Sequence, residues 1–345
     1  MLSASIFPSF PLPLLITGIS GVAGYNALPY FQRRHPGQVF GIRPTQTWQL
    51  VGPGILAVDT QDQDALFELF RLHRFRAVLN CTGNCALKSC ELDPAMARRT
   101  NVLSAVNIAA VAHAFGARLV HLSSDLVFSG AGAGGYIETD AVDPVTVYGR
   151  TMAEGEQVIL YTDPEAAILR ISLPMGPSFN RHAGVIDWIQ SRFRNGRLAT
   201  LYFDEVRSCT YTDDLNCVFE LFLAGRQAGV FHAGGPRPLA LYQIAQIVNR
   251  VGGYEPHLLK GCPRRDAGPI PPRAGNVSMN SGRLRALLGG DPFAPWPVGE
   301  ELFPTDRQWH FTRPAGQPGS REMLVERLYQ YPGAAAMPPG FEDSP

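Results

Sequence analysis

Through the first half of the chain, short apolar runs alternate with stretches whose apolar residues recur every three or four positions. Residues 12–17, 39–42, 55–58, 77–81 and 118–122 are runs of the kind that form buried strands. Between them, residues 22–34, 62–73 and 94–115 carry helical spacing. Asp62 and Asp93 occupy N-cap positions, and Pro94 suits a first helical position, where its missing N–H is not needed. Another helix begins near Val147, and 167–171 reads as a further strand. Alternation with crossovers this short predicts an α/β fold, a Rossmann-type doubly wound parallel sheet covered on both faces.

Beyond Pro174 the rhythm breaks. Pro174, Gly176 and Pro177 open an irregular stretch interrupted by a predicted helix at 185–195. Helices at 212–223 and 241–251 follow, with a strand at 229–232 between them. Residues 261–275, rich in Pro, Gly and Arg, read as an ordered loop or linker, and a short helix at 322–329 precedes a Pro/Gly/Ala tail. The expected organisation is a nucleotide-binding domain over 12–175, with 212–240 returning to it. A smaller C-terminal substrate-binding lobe is expected from 176–211 and 241–312, and a mobile tail at 330–345.

Composition narrows the function classes. Of 345 residues, 45% are hydrophobic and 17% charged, which excludes an intrinsically disordered chain. Lys+Arg and Asp+Glu are both 30, so no basic surplus exists to neutralise a phosphate backbone, and nucleic acid is not an expected partner. The only lysines are Lys88 and Lys260; arginine supplies the rest of the positive charge. Cys81, Cys85, Cys90, Cys209, Cys217 and Cys262 show no C-x-x-C spacing and read as buried thiols in a reducing compartment, with no zinc pattern. Early apolar stretches are broken by Pro8, Pro11 and Pro13, and nothing approaches the ~18 apolar residues of a membrane span. A soluble, cytoplasmic protein without membrane partners is expected.

The strongest local signal is Leu14-Leu15-Ile16-Thr17-Gly18-Ile19-Ser20-Gly21-Val22-Ala23-Gly24. A strand runs into glycines spaced three apart, and a helix follows. Such glycines let the backbone turn tightly and approach a pyrophosphate, whose charge then sits at the helix N-terminus. Gly18, Ser20, Gly21, Val22 and Gly24 are therefore assigned to a dinucleotide. At the end of the second strand, where a carboxylate would bind the ribose of NAD, the chain has Gly41-Ile42-Arg43-Pro44. Arg43 suits a 2′-phosphate, so the expected cofactor is NADP rather than NAD.

A third constellation is His121-Leu122-Ser123-Ser124-Asp125, followed by Tyr148-Gly149-Arg150-Thr151-Met152 on a predicted helix. Together with the glycine motif it resembles the extended branch of the short-chain dehydrogenase/reductase superfamily. Within that branch the chain is similar to dTDP-4-dehydrorhamnose reductases and to the regulatory β subunit of methionine adenosyltransferase. The likeness is carried by Ser123 to Gly130, by Asn80-Cys81-Thr82-Gly83, and by Asn101-Val102. It continues through Glu205-Val206-Arg207, 210–215, 231–235 and 276–280, and covers about residues 12–290.

The resemblance implies a Ser/Thr-Tyr-Lys active site over a nicotinamide, with Ser124 at the substrate oxygen and Tyr148 as proton donor or acceptor. It also places Asp59, Cys81, Thr82, Gly83, Asn101, Ser123 and Tyr148 at the cofactor. A lysine four residues after the tyrosine shares its helical face, but this chain has Met152 there. Arg150 lies two residues from Tyr148 and points elsewhere on a helix, and Lys88 falls in the loop after the fourth strand. Asp213 and Asp214 read as a helix N-cap and first turn, and His35, His73 and His113 lack metal-ligand spacing. Two functions remain. One is a reductase of a nucleotide-linked 4-keto sugar. The other is a weakly active or silent NADP-binding protein that regulates or scaffolds a protein partner, or forms a homo-oligomer.

Overall fold

The computed structural model describes residues 10–181, 183–312 and 319–329. Its first half runs β1 (Leu14–Thr17), α1 (Val22–Arg34), β2 (Val39–Arg43), β3 (Ile55–Ala57), α2 (Gln63–His73) and β4 (Ala77–Asn80). There follow α3 (Leu87–Leu92), α4 (Pro94–Arg98), α5 (Ser104–Phe115), β5 (Arg118–Ser124), α6 (Val147–Thr162) and β6 (Ala167–Ile171). The second half contains β7 (Pro174–Met175), α7 (Val185–Arg194), β8 (Ala199–Tyr202), β9 (Val206–Ser208), β10 (Thr210–Tyr211) and α8 (Thr212–Ala224). It ends with β11 (Gly229–Ala233), β12 (Pro238–Ala240), α9 (Leu241–Val251), β13 (Leu259–Cys262), α10 (Gly282–Leu288) and α11 (Arg321–Leu324).

Seven strands form one parallel sheet in the order β3-β2-β1-β4-β5-β6-β11. The order reverses between β1 and β4, whose ends are in register at Thr17 and Asn80. The loops leaving those two strands diverge to opposite faces and open the crevice in which such sheets bind ligands. The twofold period of the strands divides the core. Leu14, Ile16, Leu79 and Val120 pack with Phe31 of α1 and with Leu215, Phe219 and Phe222 of α8. Their neighbours Leu15, Val78 and Leu119 pack on the other face with Phe70 of α2 and Ile108 and Ala112 of α5. Apolar residues of β1, β4 and β5 thus line both faces of the sheet, which is why these segments read as apolar runs.

A second core gathers Ile186 and Ile189 of α7, Leu201 of β8, Ile244, Ile247 and Val248 of α9, and the buried Trp296 and Trp309. Trp296 Nε1 donates to the Leu328 carbonyl at 2.9 Å, tying the last described segment to this core. The short pair β9–β12 carries residues of this unit to the end of the main sheet, where the Ser208 amide donates to Ser172 Oγ at 3.0 Å. Leu284 of α10 and Phe293 join the core of the main sheet. The tail at 330–345 lies outside the described residues.

The fold departs from the sequence reading at several points. The helix expected over 94–115 is broken into α4, a wide π-helical stretch Arg99–Leu103, and α5. Lys88, expected in a loop, lies on α3, where Cys90 is the buried residue, so no apolar stripe marks the helix. Strands β7 to β10 span two to four residues each, too few to show a period. The expected helix at 322–329 begins as α11 and finishes as a π turn, Val325–Tyr329. The N-cap of α8 is Tyr211, and Asp213 and Asp214 both lie in its first turn. Asp214 accepts the Ala294 amide at 2.9 Å, and burial pushes its carboxyl up to about 6, with that hydrogen bond opposing. The cysteines are free, but they are not uniformly buried: Cys85 is exposed, and Cys81, Cys217 and Cys262 are half-buried.

Candidate active site

The turn between β1 and α1 uses its glycines in three different ways. Gly18 has φ +64°, and a Cβ there would stand 2.2 Å from the Cys81 carbonyl oxygen. At Gly24 a Cβ would lie 2.6 Å from the Gly18 oxygen, so the helix presses directly on the turn. Gly21, the N-cap of α1, has φ −82°, and its Cβ would meet only the Gly18 oxygen at an ordinary 3.6 Å. Neither backbone strain nor crowding explains this glycine; the space it leaves faces outward at the helix start. No side chain caps α1 and no acidic residue occupies its first turn, so its leading amides stay available to an anion. Ser20 lies in this turn and Val22 begins the helix. The cradle fits a dinucleotide pyrophosphate.

The loop after β4 is sewn to the same turn. Buried Asn80 accepts from Thr17 Oγ1 at 2.6 Å and from the Thr82 amide at 3.1 Å through one oxygen. Thr82 Oγ1 donates to Thr17 Oγ1 at 2.7 Å. Asn80 Nδ2 donates to His121 Nδ1 at 3.0 Å, and burial lowers the His121 pKa to about 4, which keeps that nitrogen an acceptor. Three adjacent strands, β1 and β4 at their ends and β5 at its middle, are joined by this one side chain. Gly83 follows, with Asn101 Oδ1 and the Met152 sulfur at 3.7 and 3.8 Å from its would-be Cβ. Asn101 sits in the π-helical stretch, whose extra width turns its side chain to accept the Asn84 amide at 2.7 Å and to donate to Thr151 Oγ1 at 2.8 Å.

Ser124 ends β5 and Tyr148 opens α6. Thr146 caps α6 by accepting the Gly149 amide at 2.9 Å, and Glu91 of α3 accepts the Val147 amide at 2.6 Å. This placement brings the phenol close enough to Ser124 for the serine hydroxyl to act on its proton. Burial pushes the Tyr148 pKa well above its usual value, and Cys85 and Asp125 add to the rise. The neighbouring Ser124 hydroxyl and the Arg207 charge oppose it. The group is therefore a phenol, not a phenolate, at neutral pH. Met152 is 4% exposed and belongs to the same apolar cluster as Tyr148.

Two buried ion pairs lie beneath these residues. Glu156 of α6 grips Arg170 of β6 in bidentate fashion at 2.8 and 2.7 Å and also accepts from Ser123 Oγ. The Ser123 hydroxyl thus donates inward, to Glu156. Asp125 pairs with Arg207 of β9 at 2.6 and 2.5 Å. Arg43 ends β2, with Nε donating to the Leu50 carbonyl at 2.6 Å and Nη1 to that of Pro44 at 3.1 Å. Asp59, beyond β3, accepts the Gln61 amide at 2.9 Å. Arg150 is exposed and donates to the Val145 carbonyl at 3.2 Å, and Lys88 is exposed on α3. Among the described residues no cluster of three His, Cys, Asp or Glu has a metal-binding arrangement, and no helix is long and apolar enough to cross a membrane.

Residues 13–298 match the family described as RmlD substrate binding domain. The chain belongs to this family. Its RmlD relatives include the dTDP-4-dehydrorhamnose reductase of Aggregatibacter actinomycetemcomitans, 26% identical over 194 residues, or 54% of this chain and 65% of that one. They also include the methionine adenosyltransferase 2 subunit beta of Bos taurus, 27% identical over 318 residues, or 87% of this chain and 90% of that one. The same Rossmann-like architecture is found in the dTDP-4-dehydrorhamnose reductase of Bacillus anthracis in complex with NADP. That structure superposes with a TM-score of 0.72 at 19% identity, covering 82% of this chain and 95% of that one.

The RmlD match stops before Trp309 and Leu324, yet both are buried in the second core, so the described fold continues past it. The sequence reading left Asn80, Glu156, Arg170 and the Asp125–Arg207 pair without roles. Charged residues inside apolar strands were the available signal: Arg170 stands in the buried strand 167–171, where an unpaired guanidinium would be prohibitive.

Proposed function

We propose that this chain is an NADPH-dependent reductase of a ketone carried on a nucleotide-linked sugar, most specifically a 4-keto sugar. The observation that carries the reading is the Ser124–Tyr148 pair at the open end of the sheet, with the phenol held protonated by burial. A protonated phenol is the form a carbonyl reduction needs, because the alkoxide oxygen must receive a proton. Bound NADPH supplies the hydride. The open amides of α1 would hold the pyrophosphate, and Arg43, at the end of β2, would pair with the 2′-phosphate. Ser124 orients the ketone oxygen, and Tyr148 gives it the proton. The unit built on α7 and α9 is the candidate cover for the nucleotide sugar. The relatives named as dTDP-4-dehydrorhamnose reductases support this substrate class.

A second reading is favoured by Met152, whose thioether replaces an ammonium, and by the match to a methionine adenosyltransferase 2 subunit beta over most of the chain. In that reading the protein holds NADP and acts on a protein partner. NADPH oxidation with a panel of nucleotide-linked 4-keto sugars separates the two. Turnover is expected; tight NADPH binding with no turnover of any of them establishes the second reading.

Cofactor preference has its own test. Loss of a charge-assisted hydrogen bond costs about 1.5–3 kcal/mol, roughly ten- to a hundredfold in affinity. Arg43→Ala is expected to weaken NADPH by that factor and leave NADH unchanged in titration calorimetry. Equal losses for both cofactors mean that Arg43 serves only to hold the 44–50 loop through its bonds to Pro44 and Leu50.

A further inference from the structure

Asp125 follows Ser124 directly, and its carboxylate is completely buried. Its oxygens receive Arg207 Nε at 2.6 Å, Arg207 Nη2 at 2.5 Å and the Ser172 hydroxyl, and Ser124 Oγ donates to Oδ1 at a longer 3.2 Å. Arg207 is itself buried, with Nη1 3.9 Å from Glu205, and Glu205 is held by Arg273 Nε at 2.7 Å. Two carboxylates and two guanidiniums therefore alternate in one chain of contacts that ends on the hydroxyl facing Tyr148. A buried pair of this kind repays its desolvation poorly, so stability alone is a weak reason for its place. A bare carboxylate takes hydrogen bonds far more strongly than a ketone does. Without Arg207, Asp125 would capture the Ser124 hydrogen outright and set an uncompensated negative charge beside the phenol.

We propose that Arg207 is a positioning residue of the active site: by saturating Asp125 it keeps the Ser124–Asp125 hydrogen bond long and weak, so that the Ser124 hydroxyl can turn to the substrate oxygen. The inference rests on the reductase reading above. It does not assign Arg207 a contact with substrate or cofactor; the residue acts through Asp125.

A double-mutant cycle reads this directly. Arg207→Gln is expected to lower kcat about a hundredfold with KM and NADPH affinity little changed. Adding Asp125→Asn removes the stranded charge, and the double variant is expected to recover at least about tenfold of that loss. A double variant no better than the single one overturns the proposal, as does a change confined to KM, which would mean direct substrate binding. If Arg207→Gln does not fold, Arg207→Lys carries the test. It keeps the charge and loses the two-pronged grip, so kcat must fall about fivefold or more with NADPH binding intact. Nuclear magnetic resonance of tyrosine labelled at Cζ gives an arm independent of turnover, with the Tyr148 signal identified by its absence in Tyr148→Phe. That signal is expected to move in the single variants and return in the double. Absent turnover in the wild type with a responsive Tyr148 signal defeats the reductase reading alone. A signal indifferent to every variant defeats the network.

Discussion

Tyr148→Phe is expected to reduce ketone turnover by roughly 10²–10⁴, the usual size of a general acid contribution, while NADPH binds as before. The phenol is 8% exposed and its ring fills an apolar cluster with Leu126, Phe128 and Met152, so phenylalanine keeps the packing and removes only the hydroxyl that would give the proton. Met152→Lys is the companion change. One turn along α6 from Tyr148, an ammonium would make the phenol more acidic, and each tenfold gain in acidity corresponds to about 1.4 kcal/mol of interaction with the phenolate. The sign follows from the protonation each direction requires. Reduction needs the phenol, which burial already secures, so kcat for reduction should rise modestly. Oxidation needs the phenolate, so alcohol oxidation should begin at a lower pH than in the wild type. The measurements are NADPH consumption and NADP reduction as functions of pH for the three proteins together. Equal activity of wild type and Tyr148→Phe removes Tyr148 from the chemistry.

The second large effect is expected at the glycine turn, where neighbouring positions should fail in opposite ways. Gly21→Val should abolish NADPH binding and leave the melting temperature nearly unchanged. Its φ of −82° is open to any residue, and the added atoms project into the volume where a pyrophosphate approaches α1. Gly18→Val should instead destabilise the fold. A side chain at φ +64° is strained, and its Cβ would overlap the Cys81 carbonyl. Thermal unfolding and cofactor titration on the two variants give a crossed pattern. Wild-type NADPH affinity in Gly21→Val would show that the turn is structural and the cofactor lies elsewhere.

How legible these features are depends on the range of the interaction behind them. The strands of the main sheet are visible because burial on both faces leaves apolar runs, and helices α1, α2, α6, α8 and α9 because burial of one face leaves a periodic apolar record. Helix α3 leaves none, since Cys90 is its buried position. The π-helical stretch at 99–103 is invisible for another reason: apolar spacing there still looks helical, and only the width of the turn, which aims Asn101, is changed. The glycine pattern identifies the turn but not the reason for each glycine, because φ and contact distance are not written in the spacing. At the active site, Ser124, Tyr148 and Met152 are found by motif. Their electrostatic setting is not, because Asp125 and Arg207 meet across 82 residues and from different units. The inward hydrogen bond from Ser123 to Glu156 is likewise a product of packing, which no local pattern announces.

The position of β11 has a consequence for the chain as it is made. β6 is buried along its whole length, and its outer edge is covered by β11, which arrives some sixty residues later after β7–β10, α7 and α8. At ribosomal rates of about 5–20 residues per second, that edge waits roughly 3–12 s for its partner. During this interval the glycine turn, Ser124 and Tyr148 have all been synthesised, while an apolar strand with free N–H and C=O groups remains open to any other extended chain. Completion of the main sheet is thus delayed behind synthesis of β7–β10 and α7, the first part of the second unit, while α9 and the rest of that unit's core follow β11, so the nascent protein carries an open strand edge with Ser124 and Tyr148 already in the chain.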